Sequence, residues 1–258
     1  MEKDERGTSG PATKTQEEQV VETEDTTSEE TAMSQAGEKA EVQLDDPQPG
    51  YEINPDTWSV IPIENENERV VLLTIDDAPD KYGLQMAQTL NQLGVKAIFF
   101  VNGHFLDSEE EANTLKQIHE LGFPIGNHTY SHRNLSKLTH EEQREEIISL
   151  NDRVEEIIGE RPKFFRAPFG VNTDVSRQIV SEENMLLMNW TYGYDWEKEY
   201  QTKEALAVIM VNTPFLKNGA NLLMHDRAWT NEALMEIVKG IQEKGYEIVD
   251  PNAIKKPK

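Results

Sequence analysis

The sequence predicts an α/β fold in which parallel strands alternate with helices. Three features predict it: seven short apolar runs, six amphipathic stretches between them, and glycines just after several of those stretches. The apolar runs are nearly continuous, which indicates a sheet buried on both faces. Because about 190 residues is short for eight strand–helix units, we expect a distorted, incomplete (β/α) barrel with seven or so parallel strands. A doubly wound open sheet is the alternative.

The elements follow in a regular order along the chain. The apolar runs lie at 70–75, 97–101, 123–125, 163–166, 185–190, 220–224 and 246–249. Helical periodicity occurs around 81–93, 109–121, 139–158, 173–184, 202–213 and 230–244. Thr139 and Glu142 have the spacing of a capping box, which predicts the start of the third helix. Gly94, Gly122, Gly159 and Gly245 stand where helices need a left-handed C-terminal residue.

Charge is unevenly distributed and predicts where the folded part begins. Residues 1–50 contain 14 acidic and four basic residues and no Phe, Tyr or Trp. Such a stretch buries too little apolar surface to offset its ordering entropy, so we expect a disordered acidic tail that could act as a spacer. We expect residues 51–68 to be a lead-in segment that packs on the barrel. Residues 69–258 then form the domain that carries the functional site.

Composition excludes several classes of protein. The chain has no cysteine, so disulfides, Cys-ligated metals and thiol nucleophiles are excluded. A net charge of −23 argues against a nucleic-acid binder, which needs Lys and Arg to displace counterions from phosphates. No apolar run approaches the roughly 20 residues of a membrane-spanning helix. The first ten residues lack the basic and apolar regions of a signal peptide.

Polar side chains cluster directly after the predicted strands. In both architectures a ligand site forms beyond the carboxyl ends of the strands, so these side chains are expected to share one rim. They comprise two carboxylates after the first run, two imidazoles after the third, a guanidinium, a further carboxylate with a tryptophan, and a last imidazole: Asp76, Asp77, His128, His132, Arg166, Asp195, Trp196 and His225.

Asp77, His128 and His132 have the chemistry of a metal site. Two histidines four residues apart share one face if the segment turns helically, and a carboxylate from another strand end completes a three-ligand set open to water. Zinc favours such a set, and cobalt, nickel, manganese and iron(II) also use it. We therefore expect one divalent metal ion, with zinc as the first choice. The alternative is an ordinary pair of surface histidines.

Asp76 is the candidate general base. Neighbours in an extended strand point to opposite faces, so Asp76 and Asp77 are not expected to bind the same metal ion. At a strand end, one can bind the metal while the other lies near the attacking water. Arg166 could pair with the second carboxylate and keep it ionised, or it could form a purely structural ion pair.

Five ordered motifs carry a family resemblance: TIDDAPD at 74–80, NHTYSH at 127–132, RAPFG at 166–170, YDW at 194–196 and LMH at 223–225. With them the chain resembles the polysaccharide deacetylases, the NodB-homology or carbohydrate esterase family 4 group, over about residues 69–250. The resemblance implies a distorted (β/α) barrel and metal-dependent removal of N- or O-acetyl groups from polysaccharides.

The resemblance also implies roles for individual residues. Asp76 looks like the catalytic base, and Asp77, His128 and His132 look like the metal ligands. Arg166 resembles the arginine that orients the base, His225 the general acid, and Asp195 the carboxylate that tunes this acid. The backbone N–H of Phe169 resembles an oxyanion donor, and Trp196 and Leu223 resemble walls of the acetyl pocket. Trp229, four residues beyond His225, is a further candidate for sugar binding.

Five positions depart from the family pattern, and two of them are Ala167 and Phe169, which stand where Pro and Tyr are frequent. Ile75 and Ala78 stand where Phe and Gly are usual, and an alanine restricts the backbone after the metal ligand more than a glycine does. Tyr192 stands three residues before Asp195, where the family often has another Asp. This last departure concerns substrate preference more than the reaction.

The expected function is N-deacetylation of an amino-sugar polymer, with peptidoglycan as the first choice and chitin oligomers or O-acetylated xylan as alternatives. A non-catalytic glycan-binding or structural surface module on the same fold is the competing class, and a small-molecule amidase is a third. We expect a monomer that acts outside the cell or at its surface, exported or lipid-anchored. We expect an N-acetylated polysaccharide as partner and no nucleic acid.

Overall fold

The computed structural model of the chain describes residues 49–257. Of the tail expected over residues 1–50, all but the last two residues lie outside the described residues. Within the described part, a short antiparallel pair of strands, β1 (Tyr51–Ile53) and β2 (Val60–Pro62), precedes the main sheet. No helix among residues 49–257 is both long enough and apolar enough to cross a bilayer.

The main sheet has seven strands, and every pairing in it is parallel: β3 (Val70–Ala78), β4 (Ile98–Val101), β5 (Ile125–Asn127), β6 (Phe164–Phe165), β7 (Leu186–Leu187), β8 (Ala220–His225) and β9 (Glu247–Ile248). Six of them follow the order β7-β6-β5-β4-β3-β8, and β9 pairs with the first residues of β3. This order confirms the predicted parallel sheet.

The segment after β7 closes the sheet into an incomplete barrel. Thr191 N–H donates to the carbonyl oxygen of Asn221 at 2.8 Å, and Leu223 N–H donates to that of Tyr192 at 2.8 Å. The apolar run 185–190 therefore forms ladder pairs only at its start, since the chain then leaves β6 and crosses to β8. The predicted incomplete barrel is confirmed, and the open doubly wound sheet is wrong because its two edges would lie apart.

Six helices connect the strands at the predicted places: α1 (Gly83–Gln92), α2 (Glu109–Glu120), α3 (His140–Ile158), α4 (Asp174–Glu182), α5 (Lys203–Asn212) and α6 (Ala228–Glu243). The predicted capping box opens α3, where the Thr139 hydroxyl accepts from Glu142 N–H and the Glu142 carboxylate accepts from Thr139 N–H. Gly159 ends the helix at φ 81°, a conformation that costs other residues strain.

Side-chain alternation along β3 explains where the site forms. Val71, Leu73 and Ile75 pack in a cluster with the surrounding helices. Val70 and Leu72 join the second cluster, which contains Phe100 and Phe164 of the neighbouring strands and Tyr51 and Val60 of β1 and β2. Since strand side chains alternate between faces, Thr74 and Asp76 point to the same side as Leu72. The strand thus delivers a carboxylate to the carboxyl end of the barrel interior.

Candidate active site

A cavity of about 530 Å³ opens at the carboxyl ends of the strands. Of the eleven residues predicted for the site, Arg166 alone is not in its lining. Three residues that were not predicted, Trp190, Gln201 and Arg227, also line the cavity. The ten predicted residues that line it are Asp76, Asp77, His128, His132, Phe169, Asp195, Trp196, Leu223, His225 and Trp229. The structure therefore brings together side chains that lie up to 153 positions apart, between Asp76 and Trp229.

Asp77, His128 and His132 form a compact cluster on one wall. One ligand atom from each lies within 4.8 Å of the other two. Asp77 Oδ1 lies 3.9 Å from His128 Nε2 and 3.5 Å from His132 Nε2. The segment between the histidines is a loop and not a helical turn, with Thr129 at φ 67° and His132 at φ 54°. Asp77 itself, at φ 59°, leaves the strand alternation and turns toward the imidazoles.

The tautomer of His128 fits a metal ligand. Its Nδ1 lies 2.7 Å from the backbone carbonyl oxygen of Arg166, which can only accept, so Nδ1 carries the hydrogen. Nε2 of the neutral ring then keeps its lone pair and faces Asp77. A histidine that donates its second N–H to a carbonyl is the usual arrangement around protein-bound metals. The donor set of two imidazole nitrogens and one carboxylate fits zinc and related divalent ions.

The charges around the cluster favour the ligating forms of its side chains. Burial disfavours the charged form of Asp77, but His128, His225, His132 and Arg227 together outweigh burial and hold the pKa of Asp77 below its ordinary value. Burial and the neighbouring His128 lower the pKa of His132. An ionised carboxylate and a neutral imidazole are the forms that bind metal ions.

Asp76 forms a fully buried ion pair with Arg166. Arg166 Nη1 donates to Asp76 Oδ1 at 2.6 Å and to the Thr74 hydroxyl at 2.8 Å, and Nη2 donates to the Asn189 carbonyl oxygen at 2.9 Å. Asp76 Oδ2 lies on the other side, 3.5 Å from His128 Nε2. One carboxylate oxygen is therefore held by the guanidinium while the second faces the candidate metal site.

His225 and Asp195 form a second pair across the cavity. His225 Nδ1 lies 2.7 Å from Asp195 Oδ1, and Asp195 Oδ2 accepts from His225 N–H at 2.6 Å and from the Thr230 hydroxyl at 2.8 Å. Because Nδ1 of His225 is hydrogen-bonded to Asp195, Nε2 is the ring nitrogen that can contact a ligand in the cavity. Asp76 and His225 are direct partners in the β3–β8 ladder, so the two residues lie side by side on neighbouring strands.

Burial lowers the pKa of His225, but the charge and hydrogen bond of Asp195, assisted by Asp76 and Asp77, outweigh burial and raise this pKa above its ordinary value. The imidazolium therefore persists to a higher pH than that of a free histidine. This is the property of a group that delivers a proton near neutral pH.

Aromatic side chains form the remaining walls. Phe169 is 63% exposed, its backbone has φ 59°, and its ring centroid lies 4.9 Å from that of His132. The Trp196 ring lies 5.6 Å from that of His225, and Trp229 Nε1–H donates to the Asp195 carbonyl oxygen at 2.8 Å. Gly193 makes this packing possible, because an added Cβ would meet the Leu223 carbonyl oxygen and come within 2.7 Å of the Trp196 ring.

Sequence reasoning missed Arg227, which donates to Asp77 Oδ2 at 2.7 Å. That oxygen is the one that does not face the histidines, so Arg227 fixes the orientation of the candidate ligand. A positive residue two places after His225, at the start of a helix, was the available signal. Trp190 also lines the cavity, where its ring lies 6.4 Å from that of Trp196.

Tyr192, one of the departures from the family pattern, is not among the residues that line the cavity. Its side chain is 4% exposed, and its hydroxyl donates to the Met210 carbonyl oxygen at 2.8 Å. In this protein the Tyr192 side chain therefore links the barrel to α5, the helix that contains Met210.

Comparison with known proteins places this architecture in a family. Residues 63–187 match the model of the family described as polysaccharide deacetylase. A peptidoglycan-N-acetylglucosamine deacetylase of Bacillus cereus is 30% identical over 225 residues, which covers 84% of this chain and 81% of that protein. The chain belongs to the polysaccharide deacetylase family.

A second peptidoglycan-N-acetylglucosamine deacetylase of Bacillus cereus is 36% identical over 133 residues, 51% of this chain and 48% of the relative. The chain thus spans about half the length of that protein. Among solved structures, the Bc1960 peptidoglycan N-acetylglucosamine deacetylase superposes with a TM-score of 0.66 at 29% identity, covering 74% of this chain and 92% of that one. BA3943, a pseudoenzyme of carbohydrate esterase family 4 from Bacillus anthracis, superposes with a TM-score of 0.63 at 28% identity, covering 70% and 63%.

Proposed function

We propose that this protein is a metal-dependent hydrolase that removes N-acetyl groups from an amino-sugar polymer, with peptidoglycan as its substrate. The observation that carries the proposal is the convergence of three groups at one cavity: the Asp77–His128–His132 cluster, Asp76 with its buried partner Arg166, and the His225–Asp195 pair. The names of the Bacillus cereus relatives support peptidoglycan as the polymer.

Asp77, His128 and His132 would hold one divalent ion, and zinc is the first choice for two imidazoles and a carboxylate. Such an ion, when bound, supplies Lewis acidity that polarises a carbonyl and makes water more acidic. Arg227 holds the outer oxygen of Asp77, which leaves Oδ1 directed at the histidines.

Asp76 is the proposed general base. Arg166 donates to Oδ1 and fixes the orientation of the carboxylate, so Oδ2 is the oxygen that would take a proton from the attacking water. The oxygen of that water then bonds to the acetamide carbon. As negative charge develops on the carbonyl oxygen, the Phe169 backbone N–H donates to it, an interaction worth on the order of 3 kcal/mol per donor.

His225 is the proposed general acid. Its Nε2 gives a proton to the departing amine nitrogen as the carbon–nitrogen bond breaks, which releases acetate and the free amino sugar. Asp195 supports the charged ring and fixes its orientation. Trp196 and Leu223 would bound the methyl side of the acetyl group, and Trp229 would flank the sugar.

The test is acetate release by the purified chain after loading with zinc or cobalt. Peptidoglycan, chitin oligomers and acetylxylan are compared side by side, because the first two carry N-acetyl groups and the third carries O-acetyl groups. We expect release from peptidoglycan and its loss in Asp76→Asn. Full activity in that variant would contradict the assignment of the base, and release from acetylxylan alone would contradict the N-acetyl substrate.

A non-catalytic glycan-binding module is the competing function, favoured by the structural likeness to a pseudoenzyme. Against the module, the side chains proposed as base, acid and metal ligands all line the cavity. Sugar binding without acetate release from any of the three substrates would establish the module instead. A peptidoglycan substrate also implies that the protein acts outside the cell membrane, which surface labelling of intact cells would test.

A further inference from the structure

A second groove adjoins the candidate active site. It has a volume of about 560 Å³ and shares two wall residues with the first cavity, His132 and Phe169. A polymer that places one sugar in the first cavity can therefore extend into the second groove along the exposed Phe169 ring. Flat aromatic faces of this kind present an apolar surface on which a sugar ring can pack.

The lining of this groove is cationic, although the chain carries a net charge of −23. Six residues line the groove, and none of them is acidic: His132, Arg133, Asn134, Lys137, Leu138 and Phe169. Exposed charges more than about 8 Å away are largely screened at physiological ionic strength. The side chains in the groove, rather than the net charge of the chain, therefore decide which ligand binds there.

Lys137 is the more available of the two cations. Arg133 lies 3.3 Å from Glu142, which is itself engaged in the cap of α3. Among residues 49–257, Lys137 forms no ion pair. Its ammonium group can therefore meet an anionic ligand without first breaking an internal pair.

The backbone that carries Lys137 is firmly anchored. Lys137 ends a short 3-10 turn, Leu135–Lys137, in which Asn134 Oδ1 accepts from Ser136 N–H at 3.0 Å. Leu135 is fully buried and packs in one cluster with Phe165 of β6. The Lys137 side chain is therefore attached to a well-anchored backbone near β6, the strand that precedes Phe169.

We infer that this groove binds the neighbouring sugar of the glycan through a carboxylate group, with Lys137 as its main partner and Arg133 as the second. The inference rests on the proposed function and sharpens its substrate class to a carboxylated glycan. In peptidoglycan the carboxylate has two sources: the lactyl group of muramic acid when no peptide is attached, and the stem peptide when one is.

The experiment compares three tetrasaccharides with the full-length chain: neutral chitotetraose, a peptide-free peptidoglycan fragment, and the same fragment carrying stem peptides. Acetate release gives KM and kcat, and calorimetric binding to the metal-free protein gives affinity independently of turnover. We expect KM for the peptide-free fragment to be about fivefold lower than for chitotetraose, a size typical of one or two exposed charge contacts. Added salt should reduce this preference.

In Lys137→Glu, the KM for the peptide-free fragment should become equal to or higher than that for chitotetraose. The affinities measured by calorimetry should change in the same direction. Lys163→Glu is the matched control, because it alters the net charge equally at the opposite, amino-terminal end of β6 and should leave the preference unchanged. If the preference disappears when stem peptides are attached, the lactyl carboxylate is the ligand; if it persists, the peptide carboxylate is.

Equal affinities for neutral and carboxylated fragments, or a preference unaltered in Lys137→Glu, would overturn the inference while deacetylation stands. Binding that depends on Lys137 without acetate release from any substrate would keep the inference and refute the proposed deacetylase activity. Circular dichroism of each variant separates loss of binding from loss of folding.

Discussion

Arg166 Nη1 lies 2.6 Å from Asp76 Oδ1, and both side chains are almost completely removed from solvent. The guanidinium lies over the Phe100 ring at 4.3 Å and the Trp190 ring at 5.8 Å. A buried charge whose partner is removed costs far more than an exposed one, because it cannot be rehydrated. The proposed base is therefore also part of the stability of the barrel.

Asp76→Asn should lower the free energy of unfolding by on the order of 3 kcal/mol as well as abolish acetate release. Urea denaturation measures the first effect and an acetate assay the second. Asp152→Asn is the control, because it removes a carboxylate from an exposed pair with Arg161 and should cost less than about 1 kcal/mol. Equal losses of unfolding free energy in the two variants would show that the buried pair contributes no more to stability than the exposed pair.

His128→Ala should weaken zinc binding by at least about a hundredfold, since one of the three proposed protein ligands is lost. Isothermal titration of the metal-free protein measures the affinity. His119→Ala, on α2, removes a histidine that faces Glu160 and should leave zinc affinity unchanged. A chelator should abolish acetate release by the unmodified chain, and added zinc should restore it. Unaltered zinc affinity in His128→Ala would refute the ligand assignment.

Asp195→Asn should move the alkaline limb of the pH–rate profile to lower pH. The pKa of His225 is raised chiefly by Asp195, so activity that needs the imidazolium persists below this raised pKa and is lost as the pH rises through it. Removal of the Asp195 charge lowers the pKa, and activity is then lost at a lower pH. An alkaline limb at the same pH in both proteins would exclude His225 as the acid.

Gly193→Ala should lower kcat/KM by about tenfold or more, because the new methyl group displaces the Trp196 ring or the β8 backbone. Overpacking of this kind typically also costs about 1–3 kcal/mol of stability. Gly50→Ala is the control, since its nearest neighbours are the flexible side-chain atoms of Glu66 at 3.2 Å. Wild-type kinetics in Gly193→Ala would show that the Trp196 wall does not contact the substrate.

Much of this architecture could be predicted because it depends on local patterns. Apolar runs, helical periodicity and glycine caps fix the elements, and parallel strands bring their carboxyl ends to one rim. The position of His225 opposite Asp76 follows from that rule. The sequence does not show the backbone turns at Asp77, Thr129 and His132, because left-handed conformations at such residues depend on contacts made elsewhere in the fold.

The contact of Arg227 with Asp77 was hidden for a related reason. Side chains 150 positions apart meet only after β8 has paired with β3, and a long flexible side chain can point in many directions. The crossing of residues 188–192 to β8 was hidden too, since apolar character alone does not tell a ladder strand from a closing segment.

The pairing of Asp76 with His225 in one ladder separates the chemistry from the choice of substrate. Adjacent strands are held about 4.8 Å apart by backbone hydrogen bonds, so loop changes cannot alter the spacing of the proposed base and the proposed acid. Phe169, Lys137 and Trp196 lie instead on connecting segments, where sequence changes are tolerated. Family members can thus diverge in the glycan they accept while inheriting an unchanged reaction geometry.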